Sequence, residues 1–119
     1  MTKLEMAIYN SIKYTDTDHL KDLAIDGDTN LNFEIEVEED VYYSPLMVAS
    51  VVGCVPVLEI LLTNPGIDLN YQDEETGCNS FWLASMYGKG GAMNLLASKG
   101  IDILNKHKET GKNALHVAI

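Results

Sequence analysis

Apolar side chains fall at three- and four-residue spacing in short runs, and glycine, proline and asparagine interrupt them at regular intervals. The clearest run begins at Ser44, whose hydroxyl can accept a hydrogen bond from the free N–H groups of a helix. Pro45 follows at the first helical position, where a missing N–H costs nothing. Leu46, Ala49 and Val52 then share one face, and Gly53 supplies a turn. A second helix is predicted from near Pro56, with Val57, Leu58, Leu61 and Leu62 on its apolar face, ended by Asn64, Pro65 and Gly66. The unit reads as helix, turn, helix, loop.

The same unit recurs. Helix openings at Ser44, Asn79 and Asn113 stand 35 and 34 residues apart. In that register Ala49 falls on Ala84 and Ala118, Gly53 on Gly88, and Leu61 and Leu62 on Leu95 and Leu96, with one residue fewer between Gly88 and its leucines. Gly66, Ile67, Asp68 returns as Gly100, Ile101, Asp102, and Glu75, Thr76, Gly77 as Glu109, Thr110, Gly111. A period of this length, with turn and core residues in one register, marks an array of stacked units. In the second unit Phe81, Ala84 and Met86 or Tyr87 belong to the first helix, and Ala92, Leu95 and Leu96 to the second. Leu61 and Leu95 are expected in the core.

These features resemble the ankyrin repeat: the period, the Ser44, Pro45, Leu46 opening in place of Thr-Pro-Leu-His, the alanine and glycine four apart, the paired leucines, and Gly66, Ile67, Asp68, Leu69, Asn70. The resemblance is strong over residues 39–119. Upstream, Leu20 to Ala24, Gly27, Leu31 and Asn32 resemble the second helix and loop of a degenerate capping unit whose first helix is roughly Lys3 to Tyr14. The resemblance implies an all-α solenoid divided as capping repeat 1–32, acidic β-like finger 33–43, repeats 44–78 and 79–112, and the start of another at 113–119. Met47 and Trp82 stand where the family has histidine, so its Thr and His pair survives at best as Asn113 and His116. That leaves room for a distorted first helix in the second unit.

From Phe33 to Glu38 apolar and acidic residues alternate strictly, a strand signal with Phe33, Ile35 and Val37 on one face and Glu34, Glu36 and Glu38 on the other. Two readings stay open. The finger is a partner-binding element whose edge and carboxylates select a basic strand, or it is a loop that packs Phe33 and Ile35 while its glutamates discourage edge pairing. At the other end the third unit stops at Ile119 before its turn and second helix. Leu115, Ala118 and Ile119 are therefore expected to be covered by further repeats or by another subunit.

Charge narrows the function. All eight basic residues are lysines against 18 acids, a net charge of −10. Residues 1–77 hold 16 acids and 3 lysines, whereas 78–119 hold 2 acids and 5 lysines. A phosphate backbone is repelled, which excludes nucleic acid as a partner class. The N-terminus lacks an uninterrupted apolar region and no apolar run reaches 18 residues, so neither a signal peptide nor membrane insertion is expected. Cys54 and Cys78 without a signal sequence read as reduced thiols, hence a cytoplasmic or otherwise intracellular setting, the nucleus and cytoskeletal assemblies included.

Catalytic signatures find little purchase. His19, His107 and His116 show no zinc spacing, and no nucleophile elbow occurs. Gly88, Lys89, Gly90, Gly91 would need another glycine at Leu83 and a Ser or Thr after the lysine to form a phosphate loop. Glu38, Glu39 and Asp40 do not have EF-hand spacing. No metal, cofactor or catalytic residue is assigned. The resemblance implies instead a non-catalytic scaffold or adaptor that holds another protein, one with a basic surface in view of the acidic finger. Its matching loop positions are Asp40, Val41, Tyr43, Glu75, Thr76, Cys78, Glu109 and Lys112, and its first-helix positions are Val51, Val52, Met86 and Tyr87. Tyr43, Met86 and Tyr87 are residue types enriched at interface centres, although packing between repeats is the competing role for the last two. The alternative is a regulatory or targeting domain of an enzyme whose catalytic part lies beyond residue 119.

Overall fold

The computed structural model describes residues 2–24 and 29–114. The expectations for Gly27, Leu115, His116, Ala118 and Ile119 lie outside those residues.

Among the described residues six helices form three consecutive pairs: α1 (Lys3–Lys13) with α2 (Thr17–Leu23), α3 (Pro45–Val52) with α4 (Val55–Leu62), and α5 (Ser80–Met86) with α6 (Gly90–Ser98). First helices pack on first helices, α1 on α3 and α3 on α5, and second helices on second, α2 on α4 and α4 on α6. Each pair buries its apolar stripe against the next. The resulting core runs through Ile8, Ile12, Leu20, Leu46, Leu58, Leu61 and Leu96, all fully buried.

The helix openings are satisfied by different chemistry in each unit. Thr2 and Glu5 make a reciprocal capping box at α1, with both bonds at 3.1 Å. At α3, the Ser44 hydroxyl accepts from the Met47 N–H at 3.3 Å, and the Ser44 N–H points at the Met47 Sδ at 3.4 Å. A thioether thus stands where the family's histidine would. At α5 the Asn79 side chain accepts from the Trp82 N–H at 3.0 Å. The indole N–H of Trp82 donates to the Lys112 carbonyl at 2.9 Å, and its ring lies 5.5 Å from that of His107. With the indole so held, α5 forms a regular helix and the distortion that its sequence left open does not occur.

The placement of the shortened segment needs correction. Leu61 and Leu96 are both fully buried, 35 residues apart, whereas Leu62 and Leu95 are half-buried. The 35-residue register therefore persists through the second helix, and the missing residue lies after it, between Leu96 and Gly100. The deletion sits in a loop, where it shifts no core side chain. Leu96, not Leu95, is the fully buried leucine of α6.

Between α2 and α3 two strands, β1 (Ile35–Glu38) and β2 (Val41–Tyr43), pair antiparallel. Ile35 faces Tyr43 and Glu36 faces Tyr42, and an irregularity between Glu36 and Glu38 brings Glu38 opposite Val41. Asp40 takes φ +63° in the turn, a left-handed conformation that Asp tolerates better than most residues. Phe33 and Ile35 are buried in the core while Glu34, Glu36 and Glu38 face water. Two shorter hairpin turns repeat this arrangement. In the first, the Asp73 N–H donates to the Cys78 carbonyl at 2.9 Å and the Gly77 N–H to the Asp73 carbonyl at 2.6 Å. In the second, His107 donates to Lys112 and Gly111 to His107, both at 2.9 Å. Gly77 and Gly111 close the two turns at φ +74° and +68°.

Loops between units are tied by asparagines. The Asn32 side chain donates to the Gly66 carbonyl at 2.6 Å and accepts from the Asp68 N–H at 2.7 Å. Asn70 accepts from the Asp102 N–H at 2.8 Å. Asn79 and Asn105, both buried, tie the second turn to the loop that follows α6: Asn79 donates to the Asp102 carbonyl at 2.8 Å and Asn105 to the Gly77 carbonyl at 2.9 Å. Among the described residues every buried side-chain nitrogen and oxygen has a hydrogen-bond partner.

Candidate partner-binding surface

The first hairpin presents two unlike faces. One face joins the first helices: Val37, Glu38, Tyr43, Val48, Val51, Val52 and Tyr87 surround an open hollow of about 170 Å³. The other opens toward the second turn, where Glu34, Asp40, Tyr42, Asp73, Glu74 and Glu75 line a cleft of about 280 Å³. A third and larger hollow, about 520 Å³, lies between α2 and α4 among Lys21, Asp22, Pro56 and Glu59.

Most of the sequence-derived surface positions meet at the first two of these. Tyr43, Val51 and Val52 are half-buried around the apolar hollow, and Tyr87, 48% exposed, completes it with Glu38. Glu34, Asp40 and Glu75 line the acidic cleft. Glu36 is exposed and accepts from the Tyr42 phenol at 2.6 Å. Val41 is half-buried in β2, and Thr76 is half-buried in the second turn, where its hydroxyl donates to Asp73 at 2.9 Å. Met86 is exposed beside Tyr87 but lines neither cavity. Glu109 and Lys112 are exposed in the third turn, apart from both. Cys78 is the correction: it is 1% exposed and packs with Met47, Trp82 and Leu83, so its side chain belongs to the core and cannot touch a partner. Val37, Tyr42, Glu74 and the largely buried Val48 and Asp73 line these cavities without having been singled out as partner contacts. The apolar and acidic alternation was the available signal for Val37.

The surroundings of the tyrosines set their ionisation. Tyr43 is pushed up to about 12, mainly by burial and then by the fields of Tyr87, Asp73 and Glu38. Tyr71, whose phenol donates to Glu34 at 3.3 Å, is likewise pushed up to about 12, by burial first and Glu34 second. Tyr42 is raised above the usual phenol range by its hydrogen bond to the Glu36 carboxylate. Burial pushes the Cys78 thiol up, against a smaller opposing effect of its hydrogen bond to Thr76. Tyr42, Tyr43 and Tyr71 therefore remain neutral phenols near neutral pH.

The glycine-rich stretch is a turn into α6. Gly88 adopts φ +71°, α6 begins at Gly90, and the Lys89 side chain lies across Gly53, where a Cβ would meet Lys89 Cδ at 2.5 Å. Among the described residues no group of three or more His, Cys, Asp or Glu is placed to hold a metal, and no helix is long and apolar enough to cross a membrane.

Paired helices stacked like on like, with a hairpin before α3 and a tight turn before α5, define a repeat architecture. Residues 41–70, from β2 through α4 to the asparagine of the following loop, match the family model of the ankyrin repeat, so that segment is an ankyrin repeat. No curated protein matches it.

Proposed function

We propose that this chain is a non-catalytic protein–protein interaction module, an ankyrin-repeat solenoid that presents its hairpin tips and first-helix face to another protein with a basic surface. The observation that carries the reading is the open surface on the first hairpin. Half-exposed aromatic and aliphatic side chains on one face and a carboxylate-lined cleft on the other lie on a rigid stack of helices. Such a surface offers apolar anchors for affinity and a charged rim for orientation. As part of the same proposal the module serves as a scaffold or adaptor in the cytoplasm, where the free Cys54 and Cys78 stay reduced.

The test is affinity capture with the intact chain and with a variant altered at the turns: Glu34→Lys, Asp40→Asn and Glu75→Lys together. Asn retains tolerance of the left-handed backbone at position 40. A captured protein that is lost on the triple variant, with unchanged circular dichroism, supports the module. Capture that is indifferent to these charges at low salt, or no specific capture at all, overturns it.

A further inference from the structure

The hollow between the first hairpin and the first helices, about 170 Å³, has room for several waters. Val37, Val48, Val51, Val52 and the rings of Tyr43 and Tyr87 make up most of its lining, so it offers those waters few hydrogen bonds. One large apolar side chain would displace them favourably. Charge then restricts which chain can bring that side chain. Glu38 lines the hollow, and Glu39 and Asp40 follow it at the hairpin tip. None of the lining residues is basic. Lys89 does not line it and lies across Gly53, at the C-terminal end of α3. A wholly apolar occupant would strip water from Glu38 and leave its charge uncompensated, and an acidic one would add repulsion. The favourable occupant carries its own cation at the hairpin end.

We propose that this hollow receives one large apolar side chain from an extended basic segment of a partner protein, with the neighbouring lysine or arginine of that segment on Glu38. The proposal rests on the interaction-module reading and narrows it to one partner chemistry.

Two capped pentapeptides serve as probes, Gly-Lys-Trp-Lys-Gly and Gly-Glu-Trp-Glu-Gly, titrated at low salt into the full chain with labelled valine methyl groups. The lysine peptide is expected to shift the methyl resonances of Val48, Val51 and Val52 and to bind at least tenfold more tightly than its acidic counterpart. Glu38→Lys, at an exposed position, should reverse that preference, and Val51→Gln should weaken both peptides. Equal binding of the two peptides, no binding of either, or shifts confined to the hollow between α2 and α4 would overturn the assignment. These readouts are independent of capture. A partner retained through the acidic turns while the peptides fail removes the groove assignment and leaves the module standing, whereas failure of capture and of both peptides removes both.

Discussion

The two junctions between successive hairpins differ in what fills them. Between the first hairpin and the second turn lies the 280 Å³ acidic cleft, and the Tyr71 phenol donates to Glu34, one of its lining residues. Between the second and third turns the chain closes on itself. The Lys108 N–H donates to the Thr76 carbonyl and its ammonium to the Glu74 carbonyl, both at 2.8 Å, and the Trp82 indole reaches Lys112. Lys108 occupies in the third turn the place that Glu74 occupies in the second, 34 residues earlier. An ammonium can donate to a facing carbonyl, while a carboxylate offers only acceptors. The closed and the open junction thus differ in charge at equivalent positions.

The largest way to break this comparison is Trp82→Ala, which removes the indole bond and most of a buried aromatic side chain from the closed junction. It should cost about 3 to 5 kcal/mol in denaturant unfolding. Gly77→Ala comes next. Its φ is +74° and an added Cβ would stand 2.7 Å from Lys108 Cγ, so it should cost roughly 1 to 2 kcal/mol from the backbone and additionally displace the lysine. Gly111→Ala has a similar φ and nothing within 4 Å, so it isolates the backbone part.

A smaller effect belongs to the first hairpin and its neighbour Tyr71. Tyr43 and Tyr71 have folded pKa values near 12 against about 10 when unfolded. Protonated phenols are favoured in the fold, so their contribution is fully present below pH 10 and is lost as pH rises toward 12. Denaturant midpoints should fall across that window, and Tyr43→Phe should flatten the fall. Smallest is Glu74→Lys, which puts a cation among Glu34, Asp40 and Glu75. A modest rise in melting temperature at low salt, abolished at high salt, is expected. No rise at low salt would show that charge does not keep the first junction open.

The periodic parts of this molecule were legible because each is dictated by local chemistry. Ser44 and Pro45 start a helix wherever they stand, Gly53 ends it at φ +79°, and Phe33 and Ile35 alternate with glutamates because one face of the hairpin is buried. Met47 and Trp82 were harder. Spacing marks them as departures, but only the fold brings a thioether to the Ser44 N–H and an indole to the carbonyl of Lys112, 30 residues away. The same limit applied to the candidate surface. The acidic run in the hairpin is plain in the sequence, whereas its cleft also needs Asp73 and Glu74 from the next unit. Cys78 was misplaced because its position in a turn says nothing of the side chains stacked over it. The leucine pair was misaligned because Leu95 and Leu96 are chemically identical, and only burial tells them apart.

The asparagines that tie each loop to its successor give the array a grammar of inheritance. Asn32 grips the backbone at Gly66 and Asp68, and Asn70 that at Asp102, so each unit is completed by the one after it. A duplication or loss of one whole period leaves every such grip with a matching loop to hold, whereas a partial one strands it. Lengthening without a change of period is left to the outward turns, and there, in the hairpin before Ser44, this chain carries its three additional residues.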